Sequence, residues 1–336
     1  MPRDSLDPLT DGADRLAGPL RAATVCTASP GLHRLFFADG LGMEMDGPLH
    51  QTDADRAACR ARWGIEDGVS WDLYHLARPG VPEAATVRLL ALDRATPSVH
   101  RSWSPHALGP FSLGFPCDEL EALDGHVRRL SFGALNPMSA YRVPRPDGSD
   151  YGIQETIFGA PDFVHAVGVS RRDGMPQLGP TDREGRGGPA YTAYVTDDSD
   201  ALVAFFTGVL GWELRSDREW ESTGETGAMQ NPEGTVFRFA ILYARGARTG
   251  HVLVVHFRTL EPAPPAAPPR PPNRGLTMWT FPVHDLDEVR RRAVAAGAPV
   301  VWGPGPVADP LWGEGRAMTV LTPDGFTVEL YEDAGA

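Results

Sequence analysis

A single carboxylate stands in the last strand-like segment of the chain. The segment runs Thr327-Val328-Glu329-Leu330-Tyr331, with an apolar residue on each side of Glu329. An ionised carboxylate is costly to bury unless water, a partner or a metal compensates its charge. Glu329 is therefore a candidate general base or metal ligand in a cleft.

A histidine occupies a comparable segment earlier in the chain. Val254-Val255-His256-Phe257 aligns with Thr327-Val328-Glu329-Leu330, so His256 and Glu329 are candidates for equivalent positions. The pair predicts either an acid–base couple or half of a metal site. We expect the carboxylate to raise the pKa of His256, and burial to raise that of Glu329. The alternative places His256 in a satisfied core and Glu329 among the solvated acids of the C-terminus.

The elements that position these residues form an internal repeat. A strand, a helix and a following strand start near residue 275 and again near residue 190, with weaker copies starting near 22 and near 111. Alternating apolar residues and 3.6-residue periodicity predict the strands and helices of each copy. The predicted fold is α+β, built from four tandem βαβββ modules.

This pattern resembles the vicinal oxygen chelate superfamily, which includes glyoxalase I, extradiol dioxygenases and bleomycin-resistance proteins. The resemblance implies that modules pair into two curved, open-barrel domains, each around a cleft. It also implies that Glu329 occupies a metal-ligand position of metal-using members, and that His256 faces it across the cleft.

Composition shifts suggest the domain boundaries. Residues 170–188 lack apolar periodicity, and residues 261–274 contain seven prolines, which is typical of a stiff spacer. The predicted organisation is a flexible tail (1–20), a two-module domain (21–169), a linker (170–188) and a second two-module domain (189–336) containing the Pro-rich connection 261–274.

The resemblance places a second metal ligand seven residues before the aspartate that precedes each helix. Those positions hold Met278, Ala190 and Phe111, none of which is a histidine, glutamine or glutamate. A non-haem iron site needs three such ligands. We therefore predict catalysis without a cofactor, with Tyr191, next to Ala190, as a third catalytic candidate. A divalent metal stays open, with Glu329 and His256 as its ligands.

Aromatic residues concentrated in the second half suggest a ligand pocket. By resemblance, bleomycin-resistance proteins hold planar ligands between aromatic side chains, and large aromatic faces suit both pockets and cores. The predicted substrate-binding residues are Arg238, Trp279, Met278, Trp312 and Trp220. In the first half, Gln154 and Glu155 are neighbours on one strand, so only one of them can face a cleft.

Charge and composition exclude several classes of function. The net charge of −13 argues against nucleic acid and anionic membrane as partners. All 31 basic residues are arginine, which excludes Schiff-base and lysine-base mechanisms. The three scattered cysteines fit no disulfide framework, and no segment reads as a membrane span or signal peptide. We expect a cytoplasmic monomer or homodimer whose partner is a small molecule.

The predicted function is a glyoxalase-like enzyme that acts on a small oxygenated metabolite, aromatic or polyketide-like. Its chemistry would be of the acid–base lyase, isomerase or cyclase type. The first alternative is a non-catalytic binding or self-resistance protein. The second is a metal-dependent extradiol-type dioxygenase whose ligands lie one strand register away. The third is an interaction scaffold whose clefts are closed by side chains.

Overall fold

The computed structural model describes residues 15–66, 68–144, 148–224 and 227–333, and in these residues the chain forms four βαβββ modules. The first comprises β1 (Ala22–Thr27), α1 (Pro30–Arg34) with a π-helical continuation (Leu35–Gly40), β2 (Glu44–Asp46), α2 (Asp53–Trp63), β3 (Trp71–Ala77) and β4 (Thr86–Leu92). The second comprises β5 (Gly109–Pro116), α3 (Leu120–Arg129), β6 (Ser139–Pro144), β7 (Asp150–Gly159), a 3₁₀ turn (Pro161–Phe163) and β8 (His165–Arg171).

The third and fourth modules repeat the pattern. The third comprises β9 (Tyr191–Val195), α4 (Ser199–Ala204) with a π-helical continuation (Phe205–Val209), β10 (Glu213–Glu221), β11 (Val236–Tyr243) and β12 (His251–Phe257). The fourth comprises β13 (Gly275–Pro282), α5 (Leu286–Ala295), β14 (Val300–Asp309), β15 (Gly313–Leu321) and β16 (Thr327–Asp333). The prediction of four βαβββ modules is confirmed.

The sixteen strands of the described residues form two curled sheets of eight. The first sheet has the order β14-β15-β16-β13-β1-β4-β3-β2, and the second has the order β10-β11-β12-β9-β5-β8-β7-β6. The first module thus pairs with the fourth through β1 and β13, and the second pairs with the third through β5 and β9. The prediction that consecutive modules pair is wrong, and the halves 21–169 and 189–336 each contribute to both sheets.

Two connections between the sheets explain this arrangement. Residues 93–108 lead from the first sheet to the second, and residues 258–274 lead back. The two crossings are hydrogen-bonded to each other, with Val99 N donating to Arg274 O and Ala266 N donating to Val99 O, both at 2.8 Å. The Pro-rich connection is therefore the return crossing between sheets. The predicted linker joins β8 to β9 within the second sheet.

Helices α1, α3, α4 and α5 cover one face of each sheet, and we call the opposite face the cleft face. The largest apolar cluster combines α3, α5 and both π-helical segments with strand residues from both sheets, such as Val25, Phe115, Trp279 and Val328. Burial of this shared layer is the main stabilising contribution, at roughly 25 cal/mol per Å² of apolar surface. The cleft faces point away from it and are where the modules differ.

The predicted N-terminal tail is only partly within the described residues, since residues 1–14 lie outside them. Residues 16–20 do not form a free tail. Gly18 N donates to Pro282 O at 2.7 Å, Leu20 N donates to Gly250 O at 2.9 Å, and Ala17 and Leu20 are buried. Among the described residues, no helix has the length and apolar character needed to span a membrane.

The sheet order predicts the behaviour of fragments. Residues 1–175 and 176–336, produced separately, should not unfold cooperatively as monomers, because each would leave β1 or β13, and β5 or β9, as unpaired edges. Residues 105–260 contain all eight strands of the second sheet and serve as the comparison, which should retain more structure than either half because β5 and β9 stay paired. Circular dichroism melts with size-exclusion chromatography test this. A monomeric half that melts cooperatively would contradict the sheet order.

Candidate functional site

Glu329 lies on the cleft face of the first sheet and is 0% exposed. Its Oε2 accepts hydrogen bonds from Arg88 Nη2 at 2.6 Å and from Thr280 Oγ1 at 2.8 Å. Its Oε1 accepts one from Trp63 Nε1 at 2.7 Å, and Arg62 Nε lies 3.1 Å away. The protein itself therefore supplies the partners that the buried charge requires.

The ion pairs around this carboxylate link four side chains whose charges balance. Arg62 Nη2 also donates to Asp309 Oδ2 at 2.6 Å. The Arg88 guanidinium lies 5.1 Å from the ring centroid of Trp63 and 5.8 Å from that of Trp312, so both rings shield it. Two guanidinium groups and two carboxylates balance formally. We call these four side chains the buried ion cluster: Arg62, Arg88, Asp309 and Glu329.

Helix α2 places Arg62 and Trp63, two of the residues that contact Glu329, on the cleft face. It begins with a capping box, in which Thr52 and Asp55 each bind the other's backbone N–H, and it ends at Gly64 in the left-handed region with φ of 64°. Arg62 and Trp63 are its last residues and are buried. Around them lies an apolar cluster formed by α2 and the first sheet: Cys26, Cys59, Trp63, Ile65, Trp71, Leu73, Leu90, Leu92 and Met278. The chain's own side chains fill this cleft.

Glu329 consequently lacks the environment of a base. Burial alone raises its pKa, but the charges of Arg88 and Arg62 and the hydrogen bonds from Arg88 and Trp63 outweigh burial and lower the pKa to about 2. The predicted net increase in this pKa is wrong, because two cations accompany the carboxylate into the interior. Glu329 acts as a buried counterion.

His256 lies on the helix-covered face of the second sheet. Its Nδ1 is 3.1 Å from Ser199 Oγ in α4 and 3.0 Å from Arg258 Nη1. Burial and the charge of Arg258 lower its pKa, against the predicted increase. Since Glu329 belongs to the first sheet, the predicted pairing of His256 with Glu329 is wrong.

The error is one of strand register. The N-cap of α4 is Asp198, which accepts a hydrogen bond from Ala201 N, and the matching N-cap of α5 is Asp285. The sequence comparison instead matched His256 directly with Glu329. With the N-caps aligned, the strand pairings make Leu253 the counterpart of Glu329. The histidine three residues later must then point to the opposite face.

Four of the five predicted substrate-binding residues do not line an open cleft. Arg238 is on the helix-covered face, where Asp217 accepts two hydrogen bonds at 2.7 Å. Trp279 is fully buried in the shared core. Met278 packs beneath α2, and Trp312 lies over Arg88 in the filled cleft. The aromatic residues of the second half thus mainly serve packing.

Trp220 and Tyr191 are the predicted residues that face the cleft of the second sheet. Trp220 is directly opposite Phe237 in the β10–β11 pairing, so it shares that residue's face, and it is 45% exposed. Tyr191 belongs to the buried apolar cluster of this cleft face: Phe111, Tyr151, Ile153, Ile157, Val167, Val169, Tyr191, Ala193, Val195, Val255 and Phe257. No element comparable to α2 delivers charged partners here within the described chain.

Glu155 is a carboxylate on this otherwise apolar face. It alternates along β7 with Ile153 and Ile157, whereas Gln154 bonds to Glu121 on the other face. Burial raises the pKa of Glu155 to about 7, and a hydrogen bond with Tyr141 opposes the increase. Both side chains stay accessible, Glu155 partly and Tyr141 at 41% exposure. Of the two neighbours weighed from sequence, Glu155 is the one that reaches the cleft.

A stack of three rings lies on the third-module side of the same face. His251 is 5.1 Å from the ring centroid of Tyr191 and 4.4 Å from that of Tyr243, nearly parallel to both. Gly114 makes room for this stack, because a Cβ there would lie 1.9 Å from the Tyr191 ring. Burial, and then the charges of Arg171 and a second arginine, lower the pKa of His251 to about 3, so the imidazole is neutral at pH 7.

Positive charge reaches the cleft from both modules of the second sheet. Arg171 is opposite Ile153 in the β7–β8 pairing, and its guanidinium lies 5.7 Å from the ring centroid of Tyr151. The Arg215 guanidinium lies 5.1 Å from the ring centroid of Tyr243. The cleft therefore presents cations and neutral hydroxyls around one titratable carboxyl.

The sequence contained a signal for this site. Tyr151, Ile153, Glu155 and Ile157 alternate along β7, and His251, Leu253, Val255 and Phe257 alternate along β12. Such alternation marks one face of a strand. The remaining members, Tyr141, Tyr243, Arg171 and Arg215, come from four separate strands, and only the sheet order brings them together.

The residues at the metal-ligand positions implied by the resemblance do not fit a metal site. In the first sheet these positions hold Met278 and Glu329, and all the polar contacts of Glu329 are to protein groups. In the second sheet they hold Tyr191 and Leu253. In the described part of the chain, no group of three His, Cys, Asp or Glu side chains is placed to hold a metal ion.

Comparison with known proteins supports the predicted resemblance. The family model of the Glyoxalase/Bleomycin resistance protein/Dioxygenase superfamily matches residues 188–330. No curated protein matches the chain by sequence. The resemblance to the vicinal oxygen chelate superfamily is thereby confirmed for the second half.

Similar solved structures extend the likeness in fold to nearly the whole chain. Glyoxalase I from Zea mays aligns with a TM-score of 0.60 at 12% identity, covering 94% of this chain and 92% of that chain. A mutant of the same enzyme gives 0.63 at 13% identity, covering 96% and 94%. A putative dioxygenase from Bacillus subtilis subsp. subtilis str. 168 gives 0.55 at 14% identity, covering 95% and 86%. At these identities the likeness concerns the fold alone.

The buried ion cluster predicts a large loss of stability on removal of one charge. Glu329→Gln should lower the free energy of unfolding by about 3–5 kcal/mol, because two arginines are left without full compensation. Urea unfolding monitored by circular dichroism measures this. Glu314→Gln on the neighbouring β15, where Glu314 is exposed, is the control and should stay within about 0.5 kcal/mol of the parent.

The difference in the free energy of unfolding between the parent and Glu329→Gln should depend on pH. Because the pKa of Glu329 is lowered from 4.5 to about 2, its stabilisation is fully present above about pH 4.5 and is lost as the pH falls toward 2. The difference between parent and Glu329→Gln should shrink over that interval. A constant difference, or none at pH 7, would contradict the assignment of Glu329 as a counterion.

Proposed function

We propose, taking residues 188–330 as part of the Glyoxalase/Bleomycin resistance protein/Dioxygenase superfamily, that the chain binds a small oxygenated molecule on the cleft face of the second sheet and transfers a proton there through Glu155. The reaction class is acid–base chemistry of the lyase, isomerase or cyclase type. The substrate is aromatic or polyketide-like, in keeping with the aromatic and apolar lining.

The observation that carries this proposal is the state of Glu155. Its pKa of about 7 makes it partly ionised at neutral pH, and a proton-transfer group is most effective when its pKa is near the working pH. Burial among apolar side chains is the main cause of the increase, a common way in which proteins tune catalytic carboxyls. Its partial exposure lets a ligand reach it.

Two tyrosines are suited to assist the carboxyl. Burial raises the pKa of Tyr141 and Tyr191 well above 10, and both respond to the charge of Glu155. At neutral pH they are hydroxyl donors. In the proposed reaction Glu155 accepts a proton from a carbon or hydroxyl of the substrate, and a tyrosine O–H stabilises the negative charge that develops on the substrate oxygen.

Sequestration without turnover is the second candidate. The aromatic lining favours it, because Trp220 and Tyr141 on this face are 45% and 41% exposed and large aromatic faces suit a planar ligand. The two candidates share the cleft and differ in whether Glu155 transfers a proton. Exchange of substrate hydrogen with solvent separates them directly.

Replacing Glu155 tests the proposed chemistry. The parent protein should accelerate deuterium uptake from D₂O at the α-carbon of 2-tetralone, a planar ketone probe, followed by proton NMR. Glu155→Gln should lower that rate by about 10²–10⁴-fold while calorimetry shows binding retained, since only the base is lost. Gln154→Ala, on the opposite face of β7, is the control. An unchanged rate in Glu155→Gln would refute the role, and binding without exchange in the parent would favour sequestration.

Removing the Tyr141 hydroxyl should shift the pH profile of this exchange. The hydrogen bond from Tyr141 lowers the pKa of Glu155, so Tyr141→Phe should raise that pKa above about 7. Because a base is active when ionised, the rise in rate should move to higher pH. Tyr74→Phe in the first sheet is the control. A midpoint that stays or falls would contradict the proposed pairing of Tyr141 with Glu155.

A further inference from the structure

Arg171 is a partly buried arginine on the cleft face, and the contacts described for its side chain include no carboxylate. Its Nη1 donates to Pro176 O at 3.3 Å, and its Nε is buried without a hydrogen-bond partner. Within the part of the chain that the structure describes, no Asp or Glu forms an ion pair with it. In the first sheet, by contrast, Arg62 and Arg88 both reach carboxylates. A partly desolvated guanidinium without a carboxylate partner would be stabilised by an incoming anion.

The side chains that share the cleft face with Arg171 include a second cation and a neutral imidazole. Arg171 shares the cleft face with Arg215, and both charges act on His251 and Tyr243. His251 is neutral at pH 7 and adds no competing charge. The Arg171 charge also acts on Tyr191, which in turn responds to Glu155. Arg171, Arg215, the tyrosines and Glu155 thus face the same cleft.

We infer that the ligand of the second-sheet cleft is a planar acid, whose carboxylate or equally acidic oxygen binds Arg171 and whose ring lies among the tyrosines. A guanidinium binds a carboxylate through two parallel N–H donors, which also fixes the orientation of the ring. This inference rests on the proposed function, since it specifies the substrate class of the same cleft. It orients the opposite end of the molecule toward Glu155.

Arg172 provides a matched control, because it follows Arg171 directly and lies on the other face. It donates to Gln154 Oε1 at 2.8 Å from Nε, to Glu121 Oε2 at 3.1 Å and to Asp118 O at 3.0 Å. A glutamine at either position removes one positive charge from the same turn of chain. Only the change at 171 removes charge from the cleft.

The probes are 1-hydroxy-2-naphthoic acid and its methyl ester, which differ by the anionic group. Calorimetry on the full-length protein should show the acid binding at least about 10-fold more tightly than the ester, as expected for a charge-assisted hydrogen bond. Arg171→Gln should abolish this preference, and Arg172→Gln should retain it. Circular dichroism melts of both variants check that they remain folded.

The outcomes separate this inference from the proposed function. Equal binding of acid and ester to the parent, a preference that survives in Arg171→Gln, or no binding of either probe up to about 1 mM would overturn the acid-binding inference. If the preference is absent while Glu155→Gln still abolishes exchange, only the substrate class is wrong. If Arg171 sets the preference while Glu155→Gln exchanges normally, the cleft binds acids without the proposed catalysis.

Discussion

The difference between the cleft faces of the two sheets depends on the pairing of Glu329 with two arginines. A carboxylate on the cleft face of the first sheet has to be compensated, and here Arg88 from β4 and Arg62 from α2 compensate it inside the protein. Once α2 is docked by these contacts, that cleft is filled. The second sheet has the same strand plan without a helix on this face among the described residues, and Glu155, Tyr141 and Trp220 there stay partly exposed.

The two cleft faces show how one architecture accommodates opposite electrostatic solutions. In the first sheet, equal numbers of buried acids and arginines neutralise each other, and the pKa of the acid falls. In the second sheet, Glu155 is partly buried among apolar residues, and its pKa rises. Arg171, conversely, forms no ion pair with an Asp or Glu of the described residues. Charged groups without partners in a cleft can react with or bind a ligand, whereas paired charges compensate each other inside the fold.

The sequence allowed the modules to be predicted, because hydrophobic period and helix caps are local signals. It also showed that Glu329 needed a partner, and that either Gln154 or Glu155 faces a cleft. Matching His256 directly with Glu329 misaligned β12 by three residues, an odd number, which placed His256 on the wrong face. The partners of Glu329 lie up to 266 residues away in sequence. Module pairing and the arginine partners are such long-range properties, and local pattern carries no information about them.

The sheet order also makes one sheet an insertion within the other. Residues 109–257 supply every strand of the second sheet, whereas the first is divided between 22–92 and 275–333. During synthesis on the ribosome, the second sheet can be complete before Glu329, which lies 241 residues downstream of Arg88, has been synthesised. Arg88 cannot pair with Glu329 until β16 has emerged. The first sheet holds the charges that are most costly to bury. It is thus the part of a nascent or truncated chain that chaperones and proteases would encounter unfinished.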